Sequence, residues 1–290
     1  MIDMECILEK DIFQGLNEKW KLQHTKPLFK NIFRVENIQN PIEQAILKIS
    51  KKEGGELFCE VHCYIRIIPG IEDWKKTHQL EFLGIPRFYG HGVIRDLRYI
   101  IIGKYLRDVS CHNTIITDDI LKAIACCVID VLEYIHHIGY VHADIKPANI
   151  LVGNEKEFYL SDYGLAHKYL RDGVHIKYDI IKNRMRDGTL EFASTDAQRG
   201  VRPSRRSDME SLGYTLLFLS VSKLPWIGRN LDIVSIRKKK ESMLGDIPHS
   251  FTCLDWILPN ISDQLVRYFS MLTLGYRERP DYSKFRAIFT

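Results

Sequence analysis

The sequence predicts an α+β protein of two unequal lobes, a small sheet-rich one followed by a larger helical one, and three observations predict it. Short apolar runs of strand length dominate from Trp20 to about Ile102, among them Ala45–Ile49 and Arg98–Ile102. Beyond Gly103 the apolar residues recur at helical spacing instead. Residues able to do chemistry gather near this change of period, where a cleft between two lobes holds a ligand. With 290 residues, 45% of them hydrophobic, the chain can build an extensive core, and no Pro/Gly/Ser-rich stretch divides it. One domain over residues 1–290 is expected, with a sheet-rich lobe at about 13–102, a connection at about 103–107 and a helical lobe at about 108–290.

The elements follow in order. Ala45–Ile49 reads as a strand, and Glu56 to Ile68 as a helix whose Leu57, Val61, Tyr64, Ile65 and Ile68 share one face. Thr117-Asp118-Asp119 is a helix start, followed by a stripe of Leu121, Ile124, Val128, Val131, Leu132 and Ile135. Further helices are expected at about Asp208–Ser220, Leu231–Met243 and Ser262–Leu274.

Charge excludes more than it identifies. Charged residues make up 27% with both signs interspersed, and a net charge of +4 with a pI near 8.5 is too mild to imply an anionic partner for the whole molecule. Seven cysteines, odd in number and without a C-x-x-C pair, read as reduced, buried thiols of an intracellular protein. The acidic start lacks a basic stretch followed by an apolar one, and Ile2 stands where N-myristoylation requires glycine. No apolar stretch approaches the ~20 residues that cross a bilayer. A soluble protein without a membrane partner is expected.

The decisive segment is Tyr140-Val-His-Ala-Asp-Ile-Lys-Pro-Ala-Asn-Ile-Leu-Val152. It resembles the protein-kinase catalytic loop H-R-D-x-x-x-x-N through His142, Asp144 and Asn149, with Ala143 in place of arginine. The order has a mechanical reason: an aspartate must orient the incoming hydroxyl and accept its proton, while an amide five residues later turns back to hold a metal ion on the phosphates. Asp144 is the expected catalytic base, Lys146 places a point charge near the transferred phosphoryl group, and Asn149 is a metal ligand. Downstream, Leu160-Ser-Asp-Tyr-Gly164 resembles the D-F-G element, making Asp162 a second metal ligand. Upstream, Ala45-Ile-Leu-Lys-Ile49 resembles V-A-I-K, so Lys48 would contact the α/β-phosphates of ATP. Its ion-pair partner is read as Glu60, on the polar side of the following helix, with Glu53 and Glu56 as alternatives.

Gly188-Thr-Leu-Glu-Phe-Ala-Ser194 and Pro203-Ser-Arg-Arg-Ser-Asp-Met-Glu-Ser-Leu-Gly-Tyr214 narrow the family. They resemble the substrate-side loop and following helix of the vaccinia-related kinases of the casein-kinase-one superfamily, poxviral members included. The D-Y-G form, Trp74-Lys-Lys-Thr-His78 and Leu224-Pro-Trp226 are similar to that family too. The resemblance implies a two-lobed protein-kinase fold and a serine/threonine kinase using ATP and Mg2+. By the same resemblance Asp208 braces the catalytic loop from below, and Ile102 to Tyr105 form the hinge that receives adenine.

One part departs from the pattern. Kinases cover the phosphates with a glycine-rich loop because only glycine lets backbone N–H groups approach so closely. Here that loop falls between Trp20 and Val35, with no glycine and with Pro27, Leu28 and Phe29 in its place. Lys26 and Lys30 are read as solvated. A catalytically impaired pseudokinase, acting as an interaction or regulatory module with a protein partner, is therefore the alternative to an active enzyme. Lys182, Arg184, Arg186, Arg199, Arg202, Arg205 and Arg206 cluster near the substrate loop, which points to acidic or already phosphorylated protein segments. The run Arg237–Lys240 reads as a solvated helix face, and nucleic acid is not the expected partner. The resemblance places the protein in the host cytoplasm or nucleus if it is viral.

Overall fold

The computed structural model describes residues 11–24, 26–52, 55–110, 116–153, 156–181, 185, 188–227, 232–247, 250 and 262–290. The first lobe is a six-stranded antiparallel sheet. Strands β1 (Ile12–Gln14), β2 (Lys19–Leu22), β3 (Ile32–Asn37), β4 (Gln44–Lys51), β5 (Phe88–Ile94) and β6 (Leu97–Gly103) lie in the order β1-β2-β3-β4-β6-β5. Alternation along β4 decides what each face sees. Ala45, Leu47 and Ile49 are buried with Phe13, Trp20, Phe33, Val35, Tyr99 and Ile101, which leaves Lys48 on the other face.

Helix α1 (Gly55–Ile67) packs on that other face against β4 and β6. Two expectations about it are corrected. Ile65 is exposed and Ile67 buried, and the helix passes into a 3₁₀ turn at Ile68–Gly70, where Pro69 ends the α-helical hydrogen bonding. Glu60, expected on the polar side, lies on the buried face beside Leu57, Val61 and Tyr64, because the Lys48 ammonium is there to pair with it. Helix α2 (Ile71–His78) follows. Its Trp74 packs against His78 and His137, and the Tyr134 hydroxyl donates to Ile67 O, tying the end of α1 to the helical lobe.

The second lobe is helical: α3 (Asp118–His137), α4 (Thr195–Gln198), α5 (Arg205–Val221), α6 (Ile233–Gly245), α7 (Ser262–Ser270) and α8 (Tyr282–Ala287). The Thr117 side chain accepts the Ile120 N–H at 3.3 Å, capping α3 as its sequence predicts, and the expected stripe from Leu121 to Ile135 is buried. Helix α5 is buried on nearly every side and starts at Arg205, three residues before the expected Asp208, because Ser204 after Pro203 is its N-cap. Helix α6 starts where Asp232 accepts the Ser235 N–H, whereas the expected start at Leu231 lies outside the described residues. Helix α7 stops at Ser270 rather than Leu274: Met271 and Leu272 bond back to Tyr268 and Phe269, the tightening that closes a last turn.

Short strands bring the catalytic segments together. β7 (Arg107–Asp108), β8 (Tyr140–Val141), β9 (Ile150–Val152), β10 (Phe158–Leu160) and β11 (His167–Lys168) flank them, and β12 (Leu170–Arg171) and β13 (Val174–His175) form a hairpin beyond. β8 pairs with β11 and β9 with β10, so residues 142–149 and 161–166 are each held at both ends by the other's flanking strand. Of the cysteines, Cys63 is buried and Cys59, Cys126 and Cys127 are half-buried, all four free; Cys6, Cys111 and Cys253 lie outside the described residues. No helix among the described residues is long and apolar enough to cross a membrane.

Candidate active site

Three charged side chains meet under the sheet. Lys48 Nζ donates to both Glu60 oxygens, at 2.8 and 3.1 Å, and lies 3.7 Å from Asp162 Oδ1. Burial opposes the charge on Lys48, but the two carboxylates outweigh it and raise its pKa above that of a free lysine. Burial opposes ionisation of Asp162 as well, yet Lys48, first among the neighbouring charges, brings its pKa below the ordinary carboxylate value. Both groups are ionised at neutral pH. Glu53, one alternative to Glu60, lies outside the described residues; Glu56 is exposed.

The catalytic loop hangs from α5. Buried Asp208 accepts the N–H groups of His142 (2.8 Å) and Ala143 (2.9 Å) and the Nε2–H of His136 (2.8 Å). The other ring nitrogen of His136 lies 2.7 Å from the Tyr282 hydroxyl; burial lowers the pKa of His136, so it is assigned as a neutral imidazole accepting from that hydroxyl. This is the bracing role that the resemblance implies for Asp208. Ala143 is left-handed, φ 67°, which turns the next residue outward. Asp144 Oδ1 accepts the Thr189 N–H and hydroxyl, both at 2.9 Å, and Oδ2 accepts Lys146 Nζ at 2.6 Å. Asn149 Nδ2 donates to Asp144 O at 2.8 Å, and the Ser161 N–H and hydroxyl both donate to Asn149 O. Asn149 and Asp162 are thereby fixed two short links apart.

Aromatic packing locks the two lobes in register. Buried Tyr163 stands edge-on to Tyr64 of α1 at 5.2 Å and against the His142 ring at 4.9 Å, and Tyr64 stacks on Phe88 at 5.4 Å.

The comparisons agree with this geometry. The family model "Protein kinase domain" matches residues 96–274. Human "Serine/threonine-protein kinase VRK2" is 36% identical over 84% of this chain, and the chain spans half of that relative's length. "Probable serine/threonine-protein kinase FPV212" of fowlpox virus is 33% identical over 84% of this chain and 83% of its own. "B1 kinase" of vaccinia virus is 31% identical over 84% and 85% respectively. The solved "Structure of vaccinia related kinase 3" superposes with a TM-score of 0.83 at 26% identity, covering 99% of this chain and 93% of that one. The chain belongs to the vaccinia-related kinases.

Within this kinase the remaining expected residues fall as follows. Ile102 is buried in β6, paired with Ile46 and Phe88. The Tyr105 ring turns onto Tyr159, 4.2 Å away, and its hydroxyl accepts the Arg87 N–H, so this phenol is already engaged within the protein. Between β2 and β3 the glycine-free connection has Phe29 64% exposed, and Lys30 is left-handed at φ 43°. Membership of the family implies ATP and a divalent metal ion. The donors fit such an ion: Asn149 engages its amide nitrogen with Asp144, leaving the carboxamide oxygen to join the Asp162 carboxylate. Two hard oxygen donors suit a cation that completes its shell with water and phosphate.

Two readings of basic residues are corrected. Arg206 chelates Asp196 at 2.7 and 3.0 Å, Arg199 pairs with Glu241 at 2.7 Å, and Arg205 donates to the Tyr169 hydroxyl and Arg277 O. These three are internal struts, and Lys182, Arg184 and Arg186 lie outside the described residues. Lys240, expected in a solvated run, is fully buried. Sequence reasoning also missed Thr189, whose position after Gly188 in the substrate loop was its only signal. Gly188 itself is left-handed, φ 82°, and a Cβ there would meet Ala143 O at 3.1 Å.

Proposed function

We propose that this chain is an active serine/threonine protein kinase that moves the γ-phosphoryl group of ATP to a Ser or Thr hydroxyl of a protein. The observation that carries the reading is the simultaneous assembly of both halves of the machinery. Lys48 is paired with Glu60 and close to Asp162 while Asp144 is aimed by Thr189 and Lys146. In this reading Asp144 orients the substrate hydroxyl and takes its proton, and Lys146 steadies charge on the phosphoryl oxygens. Lys48 holds the α/β-phosphates, and the hinge from Ile102 to Tyr105 receives adenine. Asn149 and Asp162 hold Mg2+, which when bound neutralises charge on the phosphates. Most of the acceleration comes from positioning and fixed electrostatics.

Arg171, Lys177 and Arg202, with His175, line a cavity of about 350 Å³ beyond the catalytic loop, in which Asp179 is the single acid among the described residues. This surplus of cations supports a protein substrate with an acidic or phosphorylated flank. The proposed location is a reducing intracellular compartment, and the host cytoplasm or nucleus if the protein is viral.

The glycine-free connection favours a second reading, a pseudokinase that binds a regulatory partner: Pro27 has no N–H to offer, and Leu28 and Phe29 add bulk where backbone should close on phosphate. Magnesium and labelled ATP separate the two. Phosphate transfer to itself or to an acidic protein is expected, falling about 100-fold or more in Asp144→Asn; labelling unchanged in that variant refutes the active-kinase reading. Should no transfer occur, a melting temperature that ignores Mg-ATP establishes the empty cleft of the second.

A further inference from the structure

Lys240 is an ammonium in the core of the helical lobe. Burying it is costly unless its charge and donors are met, and an apolar side chain of similar volume would serve packing as well. What meets it identifies its task. Its Nζ donates to Ala193 O at 2.6 Å and to Leu190 O at 3.2 Å, and lies over the rings of Tyr214 (4.6 Å) and Trp226 (5.3 Å). Both oxygen acceptors belong to the substrate loop, 188–194, the segment whose Thr189 reaches Asp144.

The same loop is held at neighbouring carbonyls. Gln198 Nε2 donates to Leu190 O and Trp226 Nε1 to Glu191 O, each at 2.8 Å. At the far end Glu210 of α5 accepts the Thr195 N–H at 2.6 Å and the Tyr214 hydroxyl at 2.7 Å. Lys240 contributes the one cation to this set and bridges two carbonyls three residues apart. On the opposite side Ala143 replaces the catalytic-loop arginine, so that position has no guanidinium to pair with a phosphate on the segment.

We propose that Lys240 is a positioning residue for protein-substrate binding: through Leu190 O and Ala193 O it holds the substrate loop in the shape that brings Thr189 to Asp144. The inference rests on the kinase reading and deepens it. The groups facing the ammonium are the carboxylates of Glu210 and Glu191 and the rings of Tyr214 and Trp226. Burial pulls its pKa down, to about 7, against the pull of those two carboxylates.

The test compares wild type with Lys240→Met, Lys240→Gln and Lys240→Arg, reading KM for a serine peptide, KM for ATP and hydrogen exchange of the amides at 189–194. Expected for Lys240→Met is a rise of about ten-fold or more in peptide KM with ATP KM unchanged, and faster exchange confined to the loop. Lys240→Arg, which keeps charge and donors, recovers part of the loss. Should the methionine variant fail to fold, Lys240→Gln keeps one N–H donor and is expected to lie between it and wild type. Peptide KM and loop exchange equal to wild type in the folded neutral variants overturn the proposal, and so does an ATP KM that rises in step. If the wild type transfers no phosphate, the kinase reading falls by itself. Exchange in the loop then still decides whether Lys240 holds it.

Discussion

The two ends of the cleft are built to different standards. On the helical side each residue proposed for catalysis is held by hydrogen bonds, from Asp208 under the loop to Thr189 and Lys146 on Asp144. On the sheet side the connection between β2 and β3 presents Phe29 and Pro27 where a kinase normally closes backbone over phosphate. The contrast teaches that positioning a hydroxyl and gripping a triphosphate are separable tasks. The first needs fixed side chains and has been kept whole. The second needs bare backbone, and the glycine-free connection between β2 and β3 offers little of it.

The largest expected effect breaks the well-built side. In Asp208→Asn the two loop N–H groups and His136 lose an anionic acceptor, and an amide N–H is set against donors, all without exposure to water. A loss of about 3 kcal/mol is expected, which calorimetry would read as a fall of roughly 5 °C in Tm. A Tm within 2 °C of wild type would show that the brace contributes little.

Acid should attack the same side next. Burial holds the pKa of His136 and His142 below that of a free histidine, and Asp208, against its own burial, is held below a free carboxylate mainly by His136. Folded-state values below unfolded ones mean that the unfolded chain binds more protons, so stability is full above about pH 6.5 and declines as pH falls towards the folded values. Each unit of histidine shift corresponds to about 1.4 kcal/mol. Melting temperatures taken from pH 7.5 down to 5 should therefore fall, and His136→Gln, removing one of the titrating groups, should make the fall shallower; an unchanged slope argues against a neutral buried His136.

The smallest effect would sharpen the comparison from the sheet side. Replacing Pro27, Leu28 and Phe29 together by glycine restores backbone that can approach phosphate. ATP KM is expected to fall about ten-fold with peptide KM unchanged. An ATP KM that stays level would mean that the connection does not face the nucleotide at all.

Sequence alone located the Asp144–Asn149 cluster because chemistry fixes its spacing: an aspartate and an asparagine on one turn have to stand five apart whatever surrounds them. The Lys48–Glu60 pair was legible for the same reason, but the face carrying Glu60 was not, since a glutamate among Leu57, Val61 and Tyr64 contradicts any hydrophobic pattern until its lysine is seen. Basic residues were the least legible. Arg199, Arg205 and Arg206 take partners distant in sequence, and Lys240 is indistinguishable in a run of four cations from neighbours that do face solvent. Thr189 depends on a loop folding back by some forty residues, which no local period announces.

The attachment of α1 to the helical lobe bears on chemical intervention. Trp74 wedged against His78 and His137, with the Tyr134 hydroxyl on Ile67 O, secures the tail of the helix that carries Glu60. A compound that gains affinity by prising that helix away must break this aromatic wedge as well as the Lys48–Glu60 ion pair. Compounds that leave α1 in place avoid both costs, and exposed Leu28 and Phe29 between β2 and β3 are apolar surface that a glycine-rich loop does not have.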